Sequence, residues 1–212
     1  MKELVIFDLD GTLLNTLEDL RNSTNFALSE FGFPKRSLEE VRSFVGNGVR
    51  KLIERAVPQS CDKETTEKCL EIFKKNYSEN MYNNTAPYNS ILEILKDLRN
   101  NGLKIGVVSN KFDSAVKELC KKYFEDLVDI AIGQAGDVPK KPAPDGVLKA
   151  IKLLGAENIV YVGDSGVDVQ TAKNANIPCI GVTWGFRDKK DLKGADFIID
   201  NPHDIINIIR SM

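Results

Sequence analysis

Short apolar runs rich in Val and Ile recur along the chain at residues 3–7, 104–108, 128–132, 158–162, 178–182 and 196–199. They lack the polar alternation of a half-exposed strand, so each predicts a strand covered on both faces, as in a parallel sheet. Between them, residues 90–101, 114–123, 145–154 and 166–174 read as helices. Strand and helix in alternation predict an α/β fold with a doubly wound, Rossmann-like parallel sheet joined by right-handed crossovers.

One stretch breaks this rhythm. From about residue 16 to residue 84 the apolar positions fall at helical spacing only. Leu17, Leu20, Thr24, Ala27, Leu28 and Phe31 share one face, and Gly32-Phe33-Pro34 ends that helix. Ser37-Leu38-Glu39-Glu40 opens the next with a capping-box pattern. Gly46-Asn47-Gly48 interrupts the chain before residues 49–57, and 63–82 form a long amphipathic helix. The pattern predicts a helical domain at 15–85 inserted into a core made of 1–14 and 86–212. An insert after the first strand stands at the carboxyl ends of the strands, where such sheets bind ligands, so it reads as a lid or cap.

Composition narrows the function. The 212 residues suffice for one substantial domain carrying a smaller insert. A net charge of −2 supplies no global basic field for nucleic acid or an anionic membrane, so neither is expected as a partner, and any anionic ligand must be held locally. No apolar run approaches the roughly 20 residues of a membrane span, and residues 4–7 are too short for a signal sequence. Cys61, Cys69, Cys120 and Cys179 are scattered without a C-x-x-C pair, which predicts free thiols in the cytoplasm. The single histidine, His203, reads as a polar residue at the start of the last helix, so histidine-based catalysis is not expected.

Four polar segments follow predicted strands. In Asp8-Leu9-Asp10-Gly11-Thr12, two acids separated by one residue point the same way in an extended chain. Clustered carboxylates repel one another unless a cation joins them, although Asp-Gly is also an ordinary turn dipeptide. Val107-Val108-Ser109-Asn110-Lys111 ends a strand with a hydroxyl and amides at a helix start, which suits either a phosphate or a plain N-cap. Lys141-Pro142-Ala143-Pro144-Asp145 is a stiff loop that directs Lys141, with Lys140 the exposed member; a solvated lysine at a helix entry is the rival reading. In Gly163-Asp164-Ser165-Gly166-Val167-Asp168 the two acids lie one helical turn apart. That spacing suits one carboxylate on a metal and one supporting it, or two acids at a helix N-terminus.

Together, D-x-D-G-T-L, S-N-K, K-P-x-P and G-D-S-x-x-D in this order, with the helical insert between the first two, resemble the haloacid dehalogenase superfamily over essentially the whole chain. The resemblance implies a Mg2+-dependent phosphatase. Asp8 would be the nucleophile that forms an aspartyl-phosphate, and Asp10 the acid and base that protonates the leaving alcohol and activates water. Thr12, Ser109, the Asn110 backbone and Lys141 would bind the phosphoryl group. Asp8, the Asp10 carbonyl and Asp164 would bind magnesium, with Asp168 orienting that shell.

Asp10 separates relatives. Dehalogenases of the superfamily lack a second aspartate at that place, because their leaving halide needs no proton; phosphonate-cleaving members also lack it and need a cap lysine for Schiff-base chemistry. Phe44-Val45-Gly46-Asn47-Gly48-Val49-Arg50, Ser109-Asn110-Lys111, residues 140–145 and residues 182–187 look most like phosphoglycolate phosphatases. Gly46, Asn47, Gly48 and Arg50 then become cap residues that could meet a small carboxylate, or a mere helix–helix turn. Trp184 reads as packing under a surface loop. Two departures from that pattern, Asn15 after the first motif and Tyr88-Asn89-Ser90 in place of a Pro-Gly turn, fall at the cap hinge. The expected substrate is a small anionic phosphate ester, with 2-phosphoglycolate foremost. A pyrophosphatase, a broad sugar or nucleotide phosphatase, a sugar-phosphate mutase and a non-catalytic binding module are the alternatives. The protein is expected as a monomer or homodimer.

Overall fold

The computed structural model describes residues 3–136 and 138–212. In chain order its elements are β1 (Leu4–Phe7), β2 (Leu14–Asn15), α1 (Leu17–Ser29), α2 (Leu38–Phe44), α3 (Val49–Ala56), α4 (Lys63–Asn80), β3 (Ala86–Pro87), α5 (Ile91–Asn100), β4 (Lys104–Phe112), α6 (Asp113–Phe124), β5 (Ile130–Gln134), α7 (Asp145–Leu154), β6 (Ile159–Gly163), α8 (Gly166–Asn174), β7 (Cys179–Val182), β8 (Phe197–Ile199) and α9 (Asp204–Ser211). Six strands form one parallel sheet in the order β5-β4-β1-β6-β7-β8. The predicted α/β sheet is therefore present, with β1 in its middle.

Every residue of β1 is fully buried, as its unbroken apolar run requires. Leu4 and Ile6 join Val108, Ile132, Val147, Ala150, Tyr161, Val169 and Ala172 in one core cluster, which seats α7 and α8. Val5 and Phe7 point to the opposite face, since successive strand residues alternate. Each such side chain contributes about 1.5–3 kcal/mol through its burial.

The order of strands creates a switch point. From β1 the chain proceeds outward through β4 and β5, then returns to the other side of β1 for β6, β7 and β8. Crevices at the carboxyl ends of strands flanking such a reversal are where doubly wound sheets bind ligands.

The chain divides into two compact units, residues up to Leu14 with Pro87–Met212, and Asn15–Ala86. Within the second unit α1 packs against α4, and α2 and α3 complete the bundle. Phe73 and Tyr77 stack there with ring centroids 5.5 Å apart. The Ser37 capping box is formed in both directions, Glu40 N to Ser37 Oγ at 3.2 Å and Ser37 N to Glu40 Oε2 at 2.7 Å. Asp19, only 1% exposed, accepts from the amides of Asn84 and Thr85, the Asn84 side chain and the Thr85 hydroxyl. That carboxylate ties the start of the helical unit to its end.

Two features depart from the sequence reading. β4 continues through Ser109-Asn110-Lys111 to Phe112, with an irregular register after Val108, so this segment ends a strand and is not itself a helix start. The two-residue strands β2 and β3, where the chain passes between the units, pair as a ribbon of their own and were too short to leave an alternating pattern. Among the described residues, no helix is long and apolar enough to cross a membrane.

Candidate active site

Parallel registry brings the first and fourth motifs together. Phe7 pairs with Val107 of β4 and with Val162 of β6, and the Asp8 amide donates to the Val162 carbonyl at 2.9 Å. Asp8 thus leaves β1 between the ends of the two strands that lead to Ser109 and Asp164. Ligand atoms of Asp8, Asp164 and Asp168 all lie within 4.8 Å of one another.

Lys141 stands among these acids. Its ammonium is 2.9 Å from Asp8 Oδ1, 2.7 Å from Asp168 Oδ1 and 3.0 Å from the Tyr161 hydroxyl. Its backbone is clamped by Asn110: the Lys141 amide donates to Asn110 Oδ1 at 2.7 Å, and Asn110 Nδ2 donates to the Lys141 carbonyl at 3.0 Å. The Lys141–Pro142 peptide is cis. Lys140 is exposed and Lys141 buried, as the prolines implied.

Both carboxylate oxygens of Asp168 are engaged. Oδ1 meets Lys141 and the Tyr161 hydroxyl, and Oδ2 accepts from the Ser165 amide and hydroxyl. Asp8 and Asp164 differ. Asp8 Oδ1 accepts from Leu9 N and Lys141, and Asp164 Oδ2 accepts from Phe186 N at 2.7 Å, which leaves one oxygen of each without a hydrogen bond among the described residues.

The loop after β1 is moulded around Asp164. Gly11 has φ +84°, and a Cβ there would collide with the Asp164 carboxylate. From the far side, Gly185 lets the segment after β7 reach the same acid; a Cβ on it would strike both Asp164 and the Gly11 carbonyl. Trp184 Nε1 donates to the Thr12 carbonyl at 3.1 Å, so the indole braces the first motif. The Thr12 hydroxyl is buried with no hydrogen-bond partner. A buried donor left unpaired costs about 1–3 kcal/mol, which points to an acceptor that the protein itself does not supply.

Burial pushes the Asp8 and Asp164 carboxyls up from 3.8, to about 7 and about 8, and the neighbouring Asp168 charge adds to it while Lys141 opposes. Burial works against the Lys141 ammonium too, but the charges of Asp168 and Asp8 outweigh it and raise its pKa. Acids so placed suit a hard divalent cation, whose charge favours their ionised forms. Asp8 and Asp164 have the oxygens for it, whereas Asp168 is saturated by protein donors and acts on Lys141. Because both raised acids hold protons that the unfolded chain releases, the metal-free protein is expected to lose stability as pH rises from about 4 to about 8. A divalent cation bound by these acids would replace those protons, so thermal melts with added magnesium should show stabilisation greatest near about pH 8 and least near about pH 5. A magnesium effect independent of pH would contradict this electrostatic account.

Asp10 lies outside that carboxylate group. Both its oxygens face the Lys111 ammonium, at 2.9 and 3.0 Å. Ser109 is buried nearby in β4, its Oγ 3.4 Å from the Lys111 amide. Within the helical unit, Arg50 forms a bidentate pair with Glu67, and Asn47 Oδ1 accepts from Arg55 at 3.0 Å. Gly46 and Gly48 flank Asn47 with φ of 110° and 85°. Arg50 therefore has a carboxylate partner of its own, which the sequence pattern did not reveal.

Lys111, Tyr161, Gly185 and the Phe186 amide were not singled out from sequence as site residues. The S-N-K motif contained Lys111, but nothing in its local sequence shows that its ammonium meets Asp10. The remaining ionisable candidates stand apart: burial pushes the thiols of Cys69, Cys120 and Cys179 up to about 11, 12 and 12, so they are poor nucleophiles at neutral pH. His203 Nε2 contacts Ser90 Oγ at 3.2 Å, at the start of α9.

The sequence profile of the haloacid dehalogenase-like hydrolases matches residues 5–182. The chain belongs to the haloacid dehalogenase-like hydrolase family. A phosphoglycolate phosphatase from Aquifex aeolicus is 32% identical over 97% of this chain and 96% of its own length. Phosphoglycolate phosphatase 1 of Pseudomonas aeruginosa is also 32% identical, over 97% of this chain and 79% of that protein. Among solved structures, a protein from Lactobacillus delbrueckii subsp. bulgaricus assigned as a phosphoglycolate phosphatase superposes with a TM-score of 0.93 at 33% identity, covering 99% of both chains. With such relatives along its whole length, this haloacid dehalogenase-like hydrolase is a phosphoric monoester hydrolase.

Proposed function

We propose that this phosphatase hydrolyses 2-phosphoglycolate in the cytoplasm, through an aspartyl-phosphate on Asp8 and with Mg2+ as cofactor. The observation that carries the reading is the pairing of two unpartnered acid oxygens, on Asp8 and Asp164, with the Lys141 ammonium 2.9 Å from Asp8. Asp8, Asp164 and the Asp10 carbonyl would hold the metal, which when bound supplies positive charge to the phosphoryl oxygens and to the attacking carboxylate.

The Asp8 carboxylate attacks phosphorus through one oxygen as the bond to the leaving oxygen breaks, and Asp10 gives that leaving oxygen its proton. Asp10 then takes a proton from the water that attacks phosphorus, which releases inorganic phosphate and restores the Asp8 carboxylate. Lys141 opposes the charge on the phosphoryl oxygens, and Asp168 keeps its ammonium in place. The unpaired Thr12 hydroxyl donates to one phosphoryl oxygen, and the Ser109 hydroxyl and Asn110 amide serve the others.

The relatives named as phosphoglycolate phosphatases support this choice of substrate. The free cysteines accord with a reducing compartment. Phosphate release measured across phosphoglycolate, pyrophosphate, hexose phosphates and nucleoside monophosphates with magnesium tests it. Phosphoglycolate is expected to have the highest kcat/KM. A higher value for any other member of that panel would overturn the substrate, and isomerisation of a sugar phosphate without net phosphate release would replace hydrolysis by a mutase reaction.

A further inference from the structure

Lys111 takes no part in the steps above, yet its side chain is 1% exposed. An ammonium withdrawn from water to that degree costs several kcal/mol unless a partner compensates it. The partner is Asp10, with both carboxylate oxygens within 3.0 Å of Nζ. Each acid of the first motif thus has its own buried lysine: Lys141 for Asp8, Lys111 for Asp10. The two lysines have separate supports, since Lys141 is anchored through Asn110, Tyr161 and Asp168, whereas Lys111 rides on the irregular end of β4.

We infer that Lys111 is the positioning residue of Asp10, holding its carboxyl where it exchanges protons with the leaving oxygen and with water. This rests on the phosphatase reading given above. As the phosphorus–oxygen bond of the ester breaks, the proton passes from Asp10 to the bridging oxygen, and the carboxylate left behind lies beside the Lys111 ammonium. In the second half of the reaction the same ammonium holds that carboxylate while it takes a proton from water. Lys111 therefore matters in proportion to the leaving group's need for a proton.

That proportionality separates positioning from mere structural support. The test compares kcat/KM, which reports the step that expels the leaving group, for 2-phosphoglycolate and p-nitrophenyl phosphate. The glycolate leaves as an alkoxide in need of a proton, and nitrophenolate leaves without one. Lys111→Met is expected to lower kcat/KM for phosphoglycolate on the order of a hundredfold, the usual worth of a proton-transfer group, and for the aryl ester at least about tenfold less. Lys111→Arg, which keeps the cation, should recover part of the loss. In an Asp10→Asn background, Lys111→Met should add little, because the group it positions is gone. Lys111→Gln serves as the neutral variant if the methionine does not fold, as judged by thermal melting.

Equal losses on the two esters in a folded variant would overturn the inference and reduce Lys111 to a structural residue. So would a full further loss from Lys111→Met in the Asp10→Asn background, which would mean that Lys111 meets the substrate itself. A wild-type enzyme that cleaves the aryl ester and no alkyl ester would instead overturn the substrate reading, and the leaving-group argument with it.

Discussion

Replacing Asp8 by Asn is expected to lower kcat/KM on any phosphate ester the enzyme turns over by on the order of 10⁴-fold or more. The amide has nearly the shape of the carboxylate but no anionic oxygen to attack phosphorus. The same change should leave the protein at least as stable near about pH 8 without magnesium, because burial and the Asp168 charge disfavour the Asp8 carboxylate there. Activity lost together with stability would point to damaged folding; activity lost alone assigns the chemistry to Asp8. Steady-state kinetics and thermal melts on the same preparation separate the two.

Lys141→Met is expected to damage both properties. Loss of a positioned cation on the phosphoryl oxygens typically costs about 10²–10³-fold in rate. Stability falls as well, by about 3–5 kcal/mol, since Asp168 is fully buried and is left without its counter-charge. Adding Asp168→Asn removes that orphaned charge, so the double variant should regain much of the stability in urea melts while activity stays low. A double variant that remained as unstable as the single one would mean that the Lys141–Asp168 pair is not what makes this site costly to break.

The core of the fold was legible because the strands of the sheet carry short apolar runs and helical stretches alternate with them. What stayed hidden had no such pattern. Ser109-Asn110-Lys111 extends β4 although its side chains are polar, and these residues are buried because their partners, Asp10 and the Lys141 backbone, arrive from distant segments. Ser90, in the stretch that stands in place of a Pro-Gly turn, takes the left-handed conformation with φ 64°; a serine in the sequence does not announce it. The motifs located Asp8, Lys141, Asp164 and Asp168 in the chain, but local spacing could not say how they divide the work. Asp168 lies one helical turn from Asp164, as expected, and yet its oxygens are spent on Lys141, Tyr161 and Ser165. The engagement of Arg50 by Glu67 likewise depends on α3 packing against α4, which no motif encodes.

The central claim is that phosphate passes through Asp8. The direct measurement is to mix enzyme, magnesium and phosphoglycolate, quench with acid during turnover, and locate the phosphoryl group by peptide mass spectrometry. The account predicts one phosphoryl group on Asp8, acid-stable and lost on treatment with hydroxylamine, and none in Asp8→Asn. A phosphoryl group on any other residue, or product formed while the Asp8 peptide stays unmodified at every quench time, would contradict it.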